Sequence, residues 1–185
     1  IRFRDRISGA GTLEVDTAGD TILEGRVDVG GLLTSGGGLT RLLTDRVVTA
    51  GSLVLLDELR LTQDATLRST GGGLVRLAAG ARGLGHDLRL ETAGTTRIEG
   101  AVRAARLETD AAGTLELAAD VEVSDGFGFG ESSALLVGDT VLRDTSTDGT
   151  VLLLAFDGGL ARELDAAGDL DLLGEIGSTT RLASF

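Results

Sequence analysis

The sequence predicts an all-β fold of the solenoid type, in which short strands wind into stacked turns. Three observations support this fold: a long repeat without gaps, an alternation of apolar and polar residues, and glycine clusters between the alternating segments. Helical spacing is not sustained anywhere for the roughly ten residues that an ordinary helix needs. Because 42% of the 185 residues are hydrophobic, the chain has enough apolar surface to form one core.

The repeat is about 75 residues long. Its three copies occupy residues 13–27, 88–102 and 164–176, and each copy has a glycine at the same place, namely Gly19, Gly94 and Gly168. A second motif repeats at the same distance, since Asp64–Thr70 resembles Asp139–Thr145. Turns of a solenoid stack only on their neighbours, so we expect equivalent apolar positions to form inward ladders. With roughly 19 residues in a turn, one repeat unit would make about four turns.

The strands are predicted from apolar residues that alternate with polar or small ones, which is typical of short, half-buried strands. The pairs are Leu13/Val15, Leu53/Leu55, Leu59/Leu61, Val75/Leu77, Leu88/Leu90, Leu115/Leu117 and Val121/Val123. Between them lie glycine clusters at 30–31, 36–38, 71–73 and 158–159. We expect these glycines to supply the positive φ angles that corners require.

Composition argues against several classes of function. The chain has 29 acidic residues and 17 basic residues, all of them arginine, so its net charge is −12. A nucleic-acid partner is therefore not expected. The longest apolar run, Val151–Phe156, is too short to cross a bilayer, so we expect no membrane insertion. The absence of cysteine excludes disulfides and thiolate metal sites.

A possible calcium loop begins at Asp144, with Ser146 and Asp148 as further oxygen ligands and Gly149 in the sixth position. The twelfth position is Ala155 instead of the glutamate that such a loop needs. We therefore interpret the segment as an acidic turn and predict no metal site.

Two other motifs resemble catalytic or nucleotide-binding elements only superficially. His86 is the only histidine and stands beside Asp87, but no nucleophile motif accompanies it, so a surface turn is expected. The Gly126–Gly130 segment contains Phe127 and Phe129 between glycines, without the helix or lysine of a phosphate-binding loop. We expect both rings to lie on one face of a strand and to pack into or onto the solenoid.

Two carboxylate pairs could be considered as glycosidase acids, namely Asp57 with Glu58 and Glu163 with Asp165. The segment Arg2–Arg6 places a phenylalanine between arginines, a pattern also found in proteins that stack single-stranded bases. Tight turns and the absence of lysine argue against an enzyme built on these carboxylates. The acidity of the rest of the chain favours an ordinary exposed strand face for Arg2–Arg6. No catalytic, cofactor or metal site is predicted.

Four segments resemble the long tandem repeats of filamentous-haemagglutinin-type bacterial surface proteins. They are Asp16–Thr21, Ser69–Gly73, Glu91–Thr96 and Leu107–Thr114, and the resemblance extends over essentially the whole chain. It implies a right-handed parallel β-helix from a large secreted adhesin, exported by two-partner secretion or as an autotransporter passenger. It also implies a location outside the cell or on the bacterial outer surface.

The expected function is therefore a non-enzymatic stalk or passenger segment of such an adhesin. Residues 1–185 would form one solenoid segment, an internal slice of a longer rod, because neither end changes in character. The expected partners are neighbouring repeats of the same rod, with possible end-to-end self-association and an unknown host or cell-surface ligand. The first alternative is a self-assembling extracellular filament or matrix subunit. A weaker alternative is a carbohydrate-active enzyme on the same fold.

Overall fold

The strands of this protein form a parallel β-solenoid. The structure, a computed structural model, describes residues 1–110, 112–131, 133–147, 150–153, 156–157, 162–166 and 169–172. Among these residues all regular secondary structure is β-strand, and every pair of neighbouring strands is parallel. The prediction of an all-β solenoid is confirmed.

The strands, numbered in chain order, line three faces of the solenoid. Face A is a sheet of nine described strands. These are β1 (Arg2–Phe3), β3 (Thr21–Leu23), β5 (Leu39–Leu42), β8 (Glu58–Leu61), β11 (Ala81–Gly83), β14 (Val102–Ala104), β17 (Val121–Val123), β20 (Thr140–Asp144) and β23 (Arg162–Ala166).

Faces B and C are joined by two long strands, β2 (Ile7–Asp16) and β4 (Val27–Ser35), which run around the corner between them. The first part of β4 pairs with face B and its last part with face C. Face B continues with β6 (Arg46–Thr49), β9 (Ala65–Ser69), β12 (Leu88–Thr92), β15 (Leu107–Thr109), β18 (Gly126–Phe129), β21 (Thr150–Leu153) and β24 (Asp169–Leu172). Face C continues with β7 (Leu53–Leu55), β10 (Val75–Leu77), β13 (Thr95–Ile98), β16 (Thr114–Leu117), β19 (Ala134–Leu136) and β22 (Phe156–Asp157).

The chain visits faces A, B and C in that order in each turn. Between β1 and β21, consecutive strands are connected by two to five residues. Turn length varies, because Arg60 pairs with Arg41 in one neighbouring turn and with Arg82 in the other, and these partners are unequally distant along the chain. The turn length of roughly 19 residues that the sequence predicted is found between Arg41 and Arg60, whereas the next turn, between Arg60 and Arg82, is longer.

Alternating side chains point into the solenoid and stack in ladders. On face C, one inward ladder consists of Leu55, Leu77, Ile98, Leu117 and Leu136. Each of these side chains is at most 5% exposed. The alternating residues named from the sequence are buried or, in the case of Leu13, partly buried against the core. The inward direction predicted from the period of two is confirmed.

The long repeat does not correspond to a whole number of turns. Leu13 lies on face C, where it pairs with Leu32, whereas the equivalent Leu88 lies on face B and pairs with Leu107. In the third copy, Leu164 lies on face A. One repeat unit advances the chain by eleven strands when the face B and face C parts of β2 and β4 are counted separately. Four full turns of three strands each would need twelve. The expectation that equivalent positions of the three copies stack as ladders was wrong, because those positions lie on three different faces. The partners in a ladder lie on one face, in neighbouring turns.

The corner glycines have two different roles. Positive φ angles occur at Gly36, Gly37 and Gly72, as the sequence predicted. In contrast, Gly30 and Gly73 do not have positive φ, and a Cβ atom there would lie 2.0 Å and 2.4 Å from backbone atoms of the preceding turn. These glycines are required because one backbone packs directly against another. The predicted cluster at 158–159 lies outside the described residues.

Replacing an inward residue should destabilise the solenoid far more than replacing its outward neighbour. We expect Leu90→Asp to reduce the free energy of unfolding by several kcal/mol, roughly 3–5, because Leu90 is fully buried and a carboxylate there has no partner. Arg89→Gln should reduce it by less than about 1 kcal/mol, because this side chain is half exposed. Urea unfolding measures both. Equal losses in the two variants would contradict the inward and outward assignment.

Two glycines at equivalent places in the repeat should differ in their tolerance of a methyl group. A Cβ atom on Gly94 would lie 2.1 Å from the carbonyl oxygen of Gly72, whereas at Gly19 the nearest atom is 3.7 Å away. We expect Gly94→Ala to reduce stability by about 2 kcal/mol or more and Gly19→Ala to change it by less than about 0.5 kcal/mol. Thermal unfolding of the two single variants tests this. A similar loss in both would mean that backbone contact between turns is not the constraint.

Candidate functional site

Charged residues on face B form a continuous network across successive turns. Opposite charges stand in register, since Arg68 pairs with Glu91 and Arg89 with Glu108. Two ion pairs join neighbouring turns, Arg68 to Glu91 at 3.5 Å and Arg89 to Glu108 at 3.4 Å. Within β12, Arg89 also binds Glu91 at 2.7 Å and so connects the two. Arg106 extends the network to Asp125. Alternation of charge along this face lowers the repulsion between neighbouring strands.

Face A has a different arrangement, in which four arginines stand in register in consecutive strands. We call this set the arginine column: Arg41, Arg60, Arg82 and Arg103. It is the longest run of like charges in strand register within the described part of the chain. Face C has a run of two, Arg76 and Arg97, both of which bind Glu99.

Three carboxylates balance the four guanidinium groups of the column. Arg41 binds Asp20 at 2.6 Å, and Arg103 binds Glu122 at 3.4 Å. Arg60 and Arg82 share Glu58, at 3.6 Å and 3.2 Å. The side chains of Arg82 and Arg103 are 56% and 52% exposed. The column therefore presents unused N–H donors to solvent, because each guanidinium has five.

The column leads into a shallow depression on face A with a volume of about 220 Å³. Its lining includes Ala101, Arg103, Asp120, Glu122, Val141 and Arg143. Asp120 accepts a hydrogen bond from the backbone N–H of Val141 at 2.9 Å, and Arg143 binds Asp165 at 3.0 Å. The depression combines cationic donors with carboxylate acceptors.

A second hollow of about 210 Å³ lies where face A turns into face B. Arg6, Arg26 and Arg46 line it, together with Val27, Asp28 and Val48. Arg6 binds Asp28 at 3.0 Å and Arg26 binds Asp45 at 3.1 Å. The hydrogen bond from Arg26 lowers the pKa of Asp45. The carboxylates here are thus directly bound to the arginines.

Glu131 is a buried carboxyl group that the sequence did not bring to attention. It is 1% exposed and lies at the corner between faces B and C. The hydroxyl group of Thr109 donates to Oε2, and Oε1 has no hydrogen-bond partner among the described residues. The pKa of Glu131 is raised to about 7, mainly by burial; the hydrogen bond from Thr109 opposes this shift, and the nearby charge of Asp110 contributes to it. The neutral acid is therefore favoured at this corner up to neutral pH.

The same corner is formed by hydroxyl residues in earlier turns. Thr49, Ser69 and Thr92 stand in register there. Ser69 donates to the carbonyl oxygen of Gly51 at 2.7 Å, and Thr92 donates to that of Gly73 at 2.6 Å. In these turns a hydroxyl group donates to a backbone carbonyl oxygen of the preceding turn. In the turn that contains Glu131, a buried carboxyl group lies at this corner instead.

Asp144 and Ser146, two of the possible calcium ligands, are hydrogen-bonded to each other. The carboxylate of Asp144 is buried, and its Oδ1 accepts hydrogen bonds from both the backbone N–H and the hydroxyl group of Ser146, at 3.0 Å and 3.1 Å. The hydroxyl of Ser146 thus donates to Asp144. Asp148 and Ala155 lie outside the described residues. The described residues contain no group of three or more histidine, cysteine or acidic side chains that could hold a metal ion.

His86 lies in a turn, as the sequence predicted. Its backbone N–H donates to Gly83 at 2.8 Å, and Nδ1 lies 3.7 Å from Oδ1 of Asp64. The sequence had placed Asp87 beside this histidine. In the structure, the backbone N–H of Asp87 donates a hydrogen bond to Oδ1 of Asp64 at 3.0 Å. Burial raises the pKa of Asp87, and the charge of Asp64 adds to the shift. The structure thus places Asp64, rather than Asp87, beside the imidazole.

Phe127 and Phe129 both point into the core, where each is 1% exposed. Their ring centroids are 5.2 Å apart. The prediction that they share one face of a strand is confirmed.

The first carboxylate pair from the sequence, Asp57 with Glu58, is not brought together, and only one member of the second pair has a described side chain. Asp57 is 2% exposed and its Oδ1 accepts the backbone N–H of Gly37 at 2.9 Å, whereas Glu58 faces outward and binds arginines. Asp165 binds Arg143 at 3.0 Å, and the side chain of Glu163 lies outside the described part of the structure. At the start of the chain, Arg2 binds Glu24 at 3.2 Å and Phe3 packs partly against the core.

No protein-family model matches the sequence, and neither a curated protein nor a solved structure shows a significant match to the chain. The described residues contain no helix long and apolar enough to span a membrane.

Glu131 should make the stability of the solenoid depend on pH. The folded chain holds this proton up to about pH 7, whereas the unfolded chain releases it near the ordinary value of 4.5. The folded state therefore binds the proton more strongly between these values, and stability falls as the pH rises through that window. We expect Glu131→Gln, which stays neutral, to be more stable than the parent by about 2 kcal/mol at pH 8.

The same comparison at pH 4 should show a difference below about 1 kcal/mol, because both side chains are then neutral. Glu14→Gln serves as the control, since Glu14 is exposed. Urea unfolding across the pH range measures all three proteins. A parent and a Glu131→Gln variant with parallel pH profiles would show that Glu131 ionises normally in the fold.

Proposed function

We propose that the chain is a structural stalk or passenger segment of a large secreted bacterial surface adhesin of the filamentous-haemagglutinin type. The observation that carries this proposal is the continuous stacking of turns, with strand connections of only two to five residues between β1 and β21. Each turn adds about 4.8 Å to the length of a rod, so the mass of the chain extends in one direction. The resemblance of its repeats to those adhesins supports the same role.

Two features of the described residues fit a role as a rigid spacer. All three faces are hydrogen-bonded from turn to turn, so a bend of the rod would break backbone hydrogen bonds on at least one face. Ion pairs such as those of Arg68 with Glu91 and of Arg89 with Glu108 add links between neighbouring turns on the outside. A spacer of this kind holds a binding tip away from the cell.

Cell-surface labelling tests the proposed location. An antibody raised against the purified chain should label intact cells of the source organism, and brief treatment of the cells with protease should remove the label. An antibody against a cytoplasmic protein is the control and should require permeabilised cells. Labelling of this chain only after permeabilisation would overturn the proposal.

A self-assembling filament is distinguished from a spacer by the dependence of particle length on concentration. Light scattering of the purified chain should give a length that stays constant over a hundredfold dilution if the chain is a spacer. A length that increases with concentration would favour the filament, because stacking of open sheet edges is a bimolecular step.

A further inference from the structure

The arginine column on face A is not explained by the stability of the fold. Like charges directly opposite one another in neighbouring strands are destabilising, and here four of them follow in register. Face B shows that this chain can alternate charges, as Arg68 with Glu91 and Arg89 with Glu108 do. An arrangement that opposes stability in one place is typical of a surface that binds something.

The geometry of the column fits a linear ligand that runs along the axis of the rod. Consecutive strands are about 4.8 Å apart, so the guanidinium groups form a row with that repeat. Arg60 and Arg82 share one carboxylate, Glu58, which leaves the middle of the row short of negative charge. A guanidinium binds a carboxylate through two parallel hydrogen bonds, so a polymer with one carboxylate per unit satisfies the row.

Carboxylates beside the column narrow the chemistry of the ligand. Glu58, Asp120 and Glu122 have lone pairs beyond those used by their partners in the protein, so they can accept further hydrogen bonds, which sugar hydroxyl groups supply. The depression of about 220 Å³ next to Arg103 has the small residue Ala101 in its lining and leaves room for a sugar ring. We propose that face A binds a linear polyuronate, a polysaccharide with one carboxylate on each sugar, along the arginine column.

A nucleic acid fits this surface less well. Single strands are held by aromatic side chains on which bases stack, and the described strands of face A present no aromatic residue between β3 and β20. This surface is independent of the spacer role, because a rod can hold a tip away from the cell whether or not its side binds a glycan.

Titration of the whole chain with polygalacturonate at low salt tests the proposal, with neutral dextran as the control polymer. The column variant Arg60→Gln/Arg82→Gln/Arg103→Gln should bind about tenfold more weakly or worse. The matched variant Arg68→Gln/Arg89→Gln/Arg106→Gln makes the same change in net charge on face B and should stay within about threefold of the parent. The slope of the logarithm of affinity against that of salt concentration should fall by about one for each column arginine removed.

Thermal unfolding of each variant establishes that it is folded, and Arg82→Gln alone replaces the triple variant if the triple variant is not. Three results would overturn the proposal: no binding of polygalacturonate by the parent, equal losses in the two triple variants, or equal affinity of the parent for poly(dT). Any of these results leaves the surface-labelling test of the spacer role unaffected.

Discussion

The close approach of backbone to backbone at the corners is the constraint on which the rest of the solenoid depends. Parallel turns can share hydrogen bonds on all three faces only if their corners also stack at the strand spacing of about 4.8 Å. At Gly25, Gly94 and Gly100, a Cβ atom would lie within 2.1–2.3 Å of backbone atoms in a neighbouring turn. Where the corners fit in this way, the strands align, and the alternating Leu and Val side chains fall into continuous buried ladders.

The sequence was sufficient to predict which residues point inward, because alternation is a local property. It could not separate Gly36, which needs a positive φ, from Gly30, which needs space, since the second requirement comes from a neighbouring turn. It also misled on the ladders, because Leu13 stacks on Leu32 and not on its equivalent in the next copy of the repeat. Glu131 could have been found by continuing the alternation from Phe127 and Phe129, which places the next inward side chain at that carboxyl group.

The surface was harder to predict than the core, because register depends on the length of each turn. Arg41, Arg60, Arg82 and Arg103 are unequally spaced along the chain although they stand in register, so no fixed period in the sequence reveals the column. Inward positions tolerate such variation, since any apolar residue continues a ladder. Outward positions do not, because a shift by one residue replaces a neighbouring arginine by a different group. Chemical patterns on the outside of this rod are therefore properties of its three-dimensional register.

The mismatch between the repeat unit and the turn gives the rod a screw symmetry. Each copy of the unit begins one face away from the copy before it. The segment around Gly19 therefore spans the corner from face C to face A, and the segment around Gly94 spans the corner from face B to face C. In the third copy, β23 lies on face A and β24 on face B. Any feature carried by the unit, such as an epitope, is thus displayed in three directions along one rod. A longer array of these units would have no front or back, and a partner approaching from any side would find the same motif within three copies.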